Sequence, residues 1–283
     1  MRRRVWTFLA VLATSCASPP AGPRPLGLEH LDNAHEIAPG VLTGSGPRGG
    51  PSFQELAARG VRTVISVDGV KPDVVVARAH GLRYVHLPIG YDGVPAEKTL
   101  ALAKALRELP GSIYVHCHHG KHRGPTFAAV ACVAAGKLDN EGALRVLKTM
   151  GTGENYLGLW ASAREAKAMD TSAEVAFLEV APVPPLMEAM VALDEILDHL
   201  SARPAEVDPA HEALRAREIA TEILRTDDFK GRPADYQAWM REALEAATEL
   251  EVALRAGKDV DLRRLRKSCA DCHKPYRNTP RKR

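Results

Sequence analysis

"SIYVHCHHGKHRGPTFAAVACVAAG", residues 112–136, changes character twice along its length. Its first five residues are typical of a short buried strand, and the run from Thr126 to Gly136 is typical of an apolar helix. Between them lies a loop with several histidines, a cysteine and two other basic residues. In such an arrangement the loop N–H groups can converge on an anion, and the helix N-terminus adds positive potential. The stretch therefore predicts an anion-binding loop after a strand of an α/β sheet.

The flanking sequence predicts the fold class. Two further β-branched runs, VRTVISV at 61–67 and RYVHLPI at 83–89, read as buried strands, and segments with helical spacing separate them. This alternation predicts a parallel sheet with helices on both faces over residues 35–170. After an irregular linker at 171–185, four amphipathic patterns predict an antiparallel four-helix bundle over 186–283, ending in a basic tail. The chain is thus expected to be multidomain, α/β followed by all-α.

The N-terminus predicts export. Three arginines at 2–4 precede an apolar run at 5–13 and the small residues before Cys16. This resembles the lipobox of bacterial lipoproteins, which implies a signal peptide at 1–16, a lipid on Cys16 and membrane anchoring on the periplasmic side. An ordinary secretory signal is the alternative. Residues 17–34 are rich in Pro, Gly and Ala and are predicted to form a flexible tether.

The balance of charged side chains bears on whether a nucleic acid partner is expected. The chain has 38 Lys and Arg against 35 Asp and Glu, and the predicted leader holds three of the arginines and no acid. The mature chain would therefore carry 35 basic and 35 acidic side chains, and this balance gives no reason to expect a nucleic acid partner.

The cysteine of the loop suggests an enzymatic role. Cys117 and Arg123 have the CxxxxxR spacing, and His116 and Gly120 also match the pattern of protein tyrosine and dual-specificity phosphatases, which the stretch resembles. The resemblance implies that the thiolate of Cys117 attacks a phosphate monoester and forms a phosphocysteine. Arg123 would hold two phosphoryl oxygens with its planar guanidinium.

The same resemblance suggests a general acid and reveals a departure. Asp92, in the Gly-rich loop after a predicted strand, is the candidate that protonates the leaving group and then activates water. Its alternative role is to form a turn before Gly93. The family usually has Ser or Thr after the arginine, whereas this chain has Gly124, and Thr126 cannot be assumed to replace it. Slow turnover is therefore an open expectation.

The other loop residues are candidates for substrate binding: His118, His119, Gly120, Lys121, His122 and Gly124. The histidines and the lysine would line the opening of the anion-binding site, called the mouth below, and attract an anionic substrate. Alternatively, they form a solvated basic rim. A metal cluster of the loop histidines and Cys117, and an inactive anion-binding loop, are alternatives. Lys121 matches a basic residue of family members that cleave inositol phosphates, which leaves that substrate class open.

A second motif lies near the C-terminus. Cys269, Cys272 and His273 form CxxCH, the attachment motif of c-type haem. At the end of a four-helix bundle it resembles the class II cytochromes c, which implies one covalent haem with His273 as axial iron ligand. By the same resemblance Met187 is the candidate sixth ligand; Met190 and five-coordinate iron are alternatives. A redox-active CxxC pair or half of a zinc site also remains open.

Together these features predict an exported phosphatase that carries one haem c for redox sensing or electron transfer. Its expected partners are a phosphorylated protein, small molecule or inositol phosphate, a redox protein, and the membrane through a lipid. A homodimer is expected by resemblance to class II cytochromes. The alternative function is an electron carrier whose N-terminal domain only binds anions or docks partners.

Overall fold

The structure is a computed structural model, and it describes residues 22–280. The predicted lipidation site Cys16 and the predicted signal peptide lie outside these residues.

A six-stranded sheet forms the centre of the N-terminal half. Its order is β1-β2-β3-β6-β4-β5. The strands are Arg24–Pro25 (β1), His35–Ala38 (β2), Val41–Gly44 (β3), Val61–Ser66 (β4), Arg83–His86 (β5) and Ser112–His116 (β6). Strands β3, β6, β4 and β5 run parallel, whereas β1, β2 and β3 pair in antiparallel fashion. The sheet is therefore mixed, and the prediction of a parallel sheet holds only for β3, β6, β4 and β5.

Helices cover both faces of this sheet, as predicted. They are Gly49–Ala58 (α1), Val74–Ala79 (α2), Ala96–Glu108 (α3), Arg123–Ala134 (α4), Asn140–Met150 (α5) and Leu157–Glu165 (α6). Helices α1 and α2 pack on one face around Phe53 and Leu56, and the other four cover the opposite face. Every residue of α4 is buried, because Ala and Val side chains allow close contact on all sides. This half, residues 24–165, is called the α/β part below.

The predicted tether differs from the structure over its second half. Residues 24–25 form β1 at the edge of the sheet, and Leu26 and Leu31 are buried beside α1. The proline and glycine content suggested flexibility, but the two leucines provide the apolar contacts that hold this segment to the α/β part.

The C-terminal half is helical from residue 185 onward. Its helices are Pro185–Ala202 (α7), Pro209–Arg225 (α8), Asp227–Lys230 (α9), Ala234–Arg255 (α10) and Arg263–Tyr276 (α11). Helix α8 packs on α7 and α10, and α10 also packs on α11. Their apolar faces form a core that includes Ile196, Leu200, Ala216 and Leu250. Residues 185–280 are called the helical part below.

The segment between the two parts, 171–185, contains no helix or strand before Pro185. It nevertheless follows the surface of the α/β part. The N–H of His86 donates to the Leu178 carbonyl at 2.8 Å, and Lys104 donates to the Thr171 carbonyl at 3.3 Å. Within residues 22–280, none of the helices combines the length and the apolar character needed to cross a membrane.

Candidate active site

Cys117 and Arg123 lie at the two ends of the loop that joins β6 to α4. Cys117 directly follows β6 and is 4% exposed, and Arg123 is the first residue of α4 and is 7% exposed. Gly124 packs so tightly that a Cβ on it would lie 2.8 Å from the Cys117 nitrogen. A serine or threonine at 124 would therefore require the backbone at Cys117 to shift.

Hydrogen bonds to its carbonyl groups orient the backbone of the loop between Cys117 and Arg123. Residues outside the loop donate hydrogen bonds to three of these carbonyls: the Gly46 N–H to His118, Asn33 Nδ2 to Gly120, and Thr152 Oγ1 to Lys121, at 2.7–3.0 Å. Within residues 22–280, the N–H groups of 118–122 donate to no protein acceptor. Helix α4 also begins without a side-chain cap. A run of unpartnered amides at a helix N-terminus is a binding site for an oxyanion.

The guanidinium of Arg123 is held from two sides. Its Nη2 donates to the Asp68 carboxylate at 3.0 Å, and its Cζ lies 4.6 Å from the centre of the Tyr91 ring. The Nε is buried and has no hydrogen-bond partner among residues 22–280. Because a buried donor without a partner is costly, this nitrogen is available to an anion bound in the loop.

Asp68 is a site residue that the sequence analysis missed. It is 3% exposed and lies two residues beyond β4, which is the parallel neighbour of β6. Burial alone would raise the pKa of Asp68, but the Arg123 guanidinium and the Gly69 N–H outweigh it and hold the pKa below its ordinary value. The signal was available, since carboxyl ends of adjacent parallel strands share one edge of the sheet.

His116 is a structural neighbour of the cysteine. Burial lowers the pKa of His116 to about 4, so the imidazole is neutral at physiological pH. Its Nε2 lies 2.7 Å from the Tyr84 hydroxyl. A neutral, hydrogen-bonded imidazole at this position fixes the end of β6 and therefore the direction in which Cys117 leaves the sheet.

Gly120 allows the loop to pass close to β3. Its φ is +66°, and a Cβ at this position would overlap the backbone of Gly44 and Ser45. Only glycine satisfies both conditions, because other residues rarely adopt positive φ and all carry a Cβ.

The histidines at the mouth contribute less charge than expected. Burial lowers the pKa of His122 to about 4, and burial together with His118 lowers the pKa of His119. His122 packs against the Tyr156 ring with centroids 4.6 Å apart, and Tyr156 in turn lies 4.8 Å from Tyr91. His122 is therefore neutral near pH 7 and forms part of an aromatic wall, and the attraction of an anionic substrate by the loop histidines stays a prediction.

Asp92 lies in the loop between β5 and α3, beside Tyr91. Its backbone packs against α6, where a Cβ on Gly158 would overlap it, and its carboxylate Oδ1 lies over Gly90, at 2.5 Å from a Cβ built there. The contact of Tyr91 with Arg123 brings this loop to the edge of the site. The structure thus places the predicted acid in a loop that borders the site, with its carboxylate turned back along that loop.

Two side chains of the helical part reach the mouth. Arg277, directly after α11, places its Cζ 4.6 Å from the centre of the Tyr91 ring, on which Arg123 also rests. Asp198 of α7 places Oδ2 3.1 Å from His118 Nε2. Sequence reasoning missed both, because nothing in the sequence shows which residues of one part face the other.

The CxxCH residues lie on α11 with the spacing of one helical turn. Cys269 lines a narrow apolar cavity of about 20 Å³ between the helices, and Cys272 is 6% exposed. Both thiols are free, and burial raises the pKa of Cys272 to about 11. Burial also lowers the pKa of His273 to about 3, which leaves the neutral imidazole that iron requires.

The two methionine candidates have different surroundings. Met187 packs against the α/β part, and its Sδ lies 3.2 Å from a Cβ built on Gly69. Met190 packs in the apolar cluster that also contains Cys272. Met187 is therefore in contact with the α/β part, whereas Met190 lies near Cys272, and the assignment of an iron ligand stays a prediction.

Comparison with known proteins gives fold neighbours only. No protein-family model matches the chain, and no curated protein matches it in sequence. Similar solved structures include P. aeruginosa TpbA, with 24% identity over 52% of this chain and 92% of that one, at a TM-score of 0.45. TpbA in complex with phosphotyrosine is 23% identical over 52% of this chain and 91% of that one, at a TM-score of 0.45. A mouse protein designated a dual specificity phosphatase, complexed with zinc tungstate, is 22% identical over 55% of this chain and 92% of that one, at a TM-score of 0.39.

Proposed function

We propose that this protein is a cysteine-dependent phosphatase that hydrolyses phosphate monoesters through a phosphocysteine. One observation carries the proposal: among residues 22–280, the N–H groups of 118–122 and the buried Nε of Arg123 have no protein partner, and all belong to the segment from Cys117 to the start of α4. A phosphoryl group would satisfy these donors at once. In the proposed reaction the Cys117 thiolate is the nucleophile.

The first step joins sulfur to phosphorus. The Cys117 thiolate donates its electron pair to the phosphorus atom, and the P–O bond to the leaving alcohol or phenol breaks. Asp92 gives its proton to the leaving oxygen, for which the carboxylate must turn from Gly90 toward the mouth. The loop amides and Arg123 hold the three equatorial oxygens while charge develops on them.

The second step returns the thiolate. Asp92 takes a proton from water, the water oxygen bonds to phosphorus, and the S–P bond breaks to release inorganic phosphate. Here Gly124 offers no hydroxyl, and Thr126 Oγ1 donates to the His122 carbonyl at 2.8 Å instead of facing the cysteine. We therefore expect this step to be slow and phosphocysteine to accumulate.

We further propose that the helical part is a four-helix bundle of the class II cytochrome c type with one covalent haem. The donor set fits: two free thiols stand one turn apart on α11, and His273 is neutral. When bound, haem supplies reversible one-electron chemistry or gas binding. The thiols of Cys269 and Cys272 would anchor it and His273 would orient it. The cavity beside Cys269 is about 20 Å³, so the surrounding helices must separate to admit a porphyrin.

Export and anchoring complete the proposal. Covalent haem attachment occurs outside the bacterial cytoplasm, and the leader-like N-terminus with Cys16 agrees with a lipoprotein on the periplasmic side. The substrate would be a phosphorylated protein or small molecule, and a redox protein would exchange electrons with the helical part.

A second candidate function is an electron carrier whose α/β part binds phosphate without turning it over. The missing hydroxyl after Arg123 and the engaged Thr126 favour it. Both functions predict phosphate binding, and they differ in whether the S–P bond forms and is hydrolysed.

Rapid-mix hydrolysis of an aryl phosphate separates the two candidates. We expect a burst of phenol release equal to the amount of enzyme, followed by slow turnover, and complete loss of the burst in Cys117→Ser. Cys132→Ser is the matched control, because burial in α4 raises the pKa of the Cys132 thiol to about 12 and makes it inert. A folded protein that binds phosphate without any burst would support the carrier. A pyridine haemochrome spectrum, absent in Cys269→Ala with Cys272→Ala, tests the haem independently.

A further inference from the structure

A cluster of potential metal ligands lies where the loop meets α7. It comprises His118 and His119 of the loop and Asp198 of the helix, and one ligand atom from each lies within 4.8 Å of the others. We propose that these three side chains bind a divalent transition-metal ion of the zinc class. The site joins the α/β part to the helical part, and binding of the ion there requires no catalysis by Cys117.

The distances suit such an ion. Ligands at about 2.0–2.2 Å from a tetrahedral zinc lie roughly 3.4 Å from one another. Here Asp198 Oδ2 is 3.1 Å from His118 Nε2 and 4.0 Å from His119 Nε2. The two rings stand nearly perpendicular, at 84°, with centroids 4.3 Å apart. A small rotation of the half-exposed His119 ring would bring all three atoms to one ion.

The hydrogen bonds at this cluster cannot all be made at once. The Nε2 of His118 faces Asp198 Oδ2 at 3.1 Å and also faces Arg48 Nη2 at 3.0 Å. A single ring nitrogen can donate to the carboxylate or accept from the guanidinium, but not both. A metal ion between Nε2 and Oδ2 would satisfy both lone pairs, and Arg48, which is exposed, would turn toward water.

Charge and ligand type indicate the class of ion. A carboxylate on α7 offsets part of the ion's charge, and Asp194 lies one turn earlier, close enough to act electrostatically on His119. Two imidazoles with a carboxylate favour zinc and other late first-row ions over calcium and magnesium, which prefer oxygen ligands. Arg48 and Lys121 are cations nearby, and their charge limits the affinity.

The experiment is calorimetric titration of the full chain with zinc chloride in metal-free, phosphate-free buffer. We expect one zinc per chain. Asp198→Asn and His119→Ala should each weaken binding by about tenfold or more. Both side chains are roughly half exposed, so the variants should fold, which far-ultraviolet circular dichroism checks. Arg48→Met should instead strengthen binding, because it removes the competing cation.

Two controls make the result decisive. His211→Ala removes an exposed histidine elsewhere on the helical part and should leave the titration unchanged. Cys269→Ser should also leave it unchanged, because the thiols of α11 take no part in this site. The proposal is wrong if wild type takes up no zinc, if Asp198→Asn binds as wild type does, or if binding disappears in Cys269→Ser alone.

Discussion

Removal of the Asp68 carboxylate tests the ion pair that holds Arg123, the arginine proposed to bind phosphate. The pair joins Arg123 Nη2 to Asp68 at 3.0 Å, and the two side chains are only 8% and 5% exposed. Asp68→Ala leaves the guanidinium buried without a counter-charge. Loss of one partner from a buried pair costs about 3–5 kcal/mol in the free energy of unfolding.

The chain contains a matched pair that differs mainly in exposure. Arg78 and Glu179 are 2.9 Å apart, but their side chains are 68% and 46% exposed. Glu179→Ala should therefore cost less than about 1 kcal/mol, because water solvates the remaining arginine. The comparison holds the type of pair and the distance nearly constant, so the difference in cost measures the effect of burial.

The assay is urea unfolding of wild type, Asp68→Ala and Glu179→Ala in phosphate-free buffer, followed by circular dichroism. Addition of phosphate should then stabilise Asp68→Ala more than wild type, since the anion supplies the missing charge to Arg123. Equal losses for the two variants, or equal stabilisation of Asp68→Ala and wild type by phosphate, would refute this account of the site.

Three further predictions follow from other groups. The free energy of unfolding should fall by about 2 kcal/mol between about pH 7.5 and about pH 5. The cause is His116, whose pKa in the folded protein is about 4, so that the unfolded chain takes up the proton first as the pH falls. Urea unfolding of His116→Gln should therefore depend less steeply on pH. Gly120→Ala should abolish phosphate binding and lower the melting temperature, whereas Gly60→Ala, with φ +78° and open space, should cost only about 1–2 kcal/mol in thermal unfolding. Arg277→Met should raise the KM for an aryl phosphate about threefold to tenfold with little change in kcat, and the exposed Arg225→Met should change neither.

The sequence predicted elements with strong periodicity and missed short ones. Strands β4, β5 and β6 begin at residues 61, 83 and 112, where β-branched runs begin. Strands β2 and β3 have four residues each and meet at Pro39 and Gly40, and this hairpin was missed. Four residues are too few to establish a period of two, and the pairing of β3 with β6 is a tertiary contact.

The chemistry of the loop was predictable because it is local. Cys117 and Arg123 lie six positions apart, and a strand, loop, helix segment places them at one edge. Asp68 and Tyr91 could not be found from spacing within that segment, since they come from the ends of other elements. Their positions follow from the order of strands in the sheet, because the carboxyl ends of adjacent parallel strands share one edge, and the sequence analysis did not use this signal.

Contacts between the two parts were beyond sequence reasoning for a different reason. Met187 satisfies the spacing of an apolar helix face, yet its side chain packs on Gly69 of the α/β part. Periodicity identifies the buried stripe of a helix but not the surface that covers it. The resemblance that suggested Met187 as a sixth iron ligand does not show which surface covers this side chain, and the iron ligands stay a prediction.

These contacts change the origin of the positive charge at the mouth. The histidines were expected to attract the substrate, but His122 is neutral near pH 7 because burial lowers its pKa to about 4. The cation Arg277 supplies part of that charge, because it contacts the same Tyr91 ring as Arg123. Because Arg277 follows α11 directly, any shift of the helix that carries the CxxCH residues moves a cation relative to the Cys117 loop. The Tyr91 ring, which both Arg123 and Arg277 contact, is thus one of the connections between the two parts.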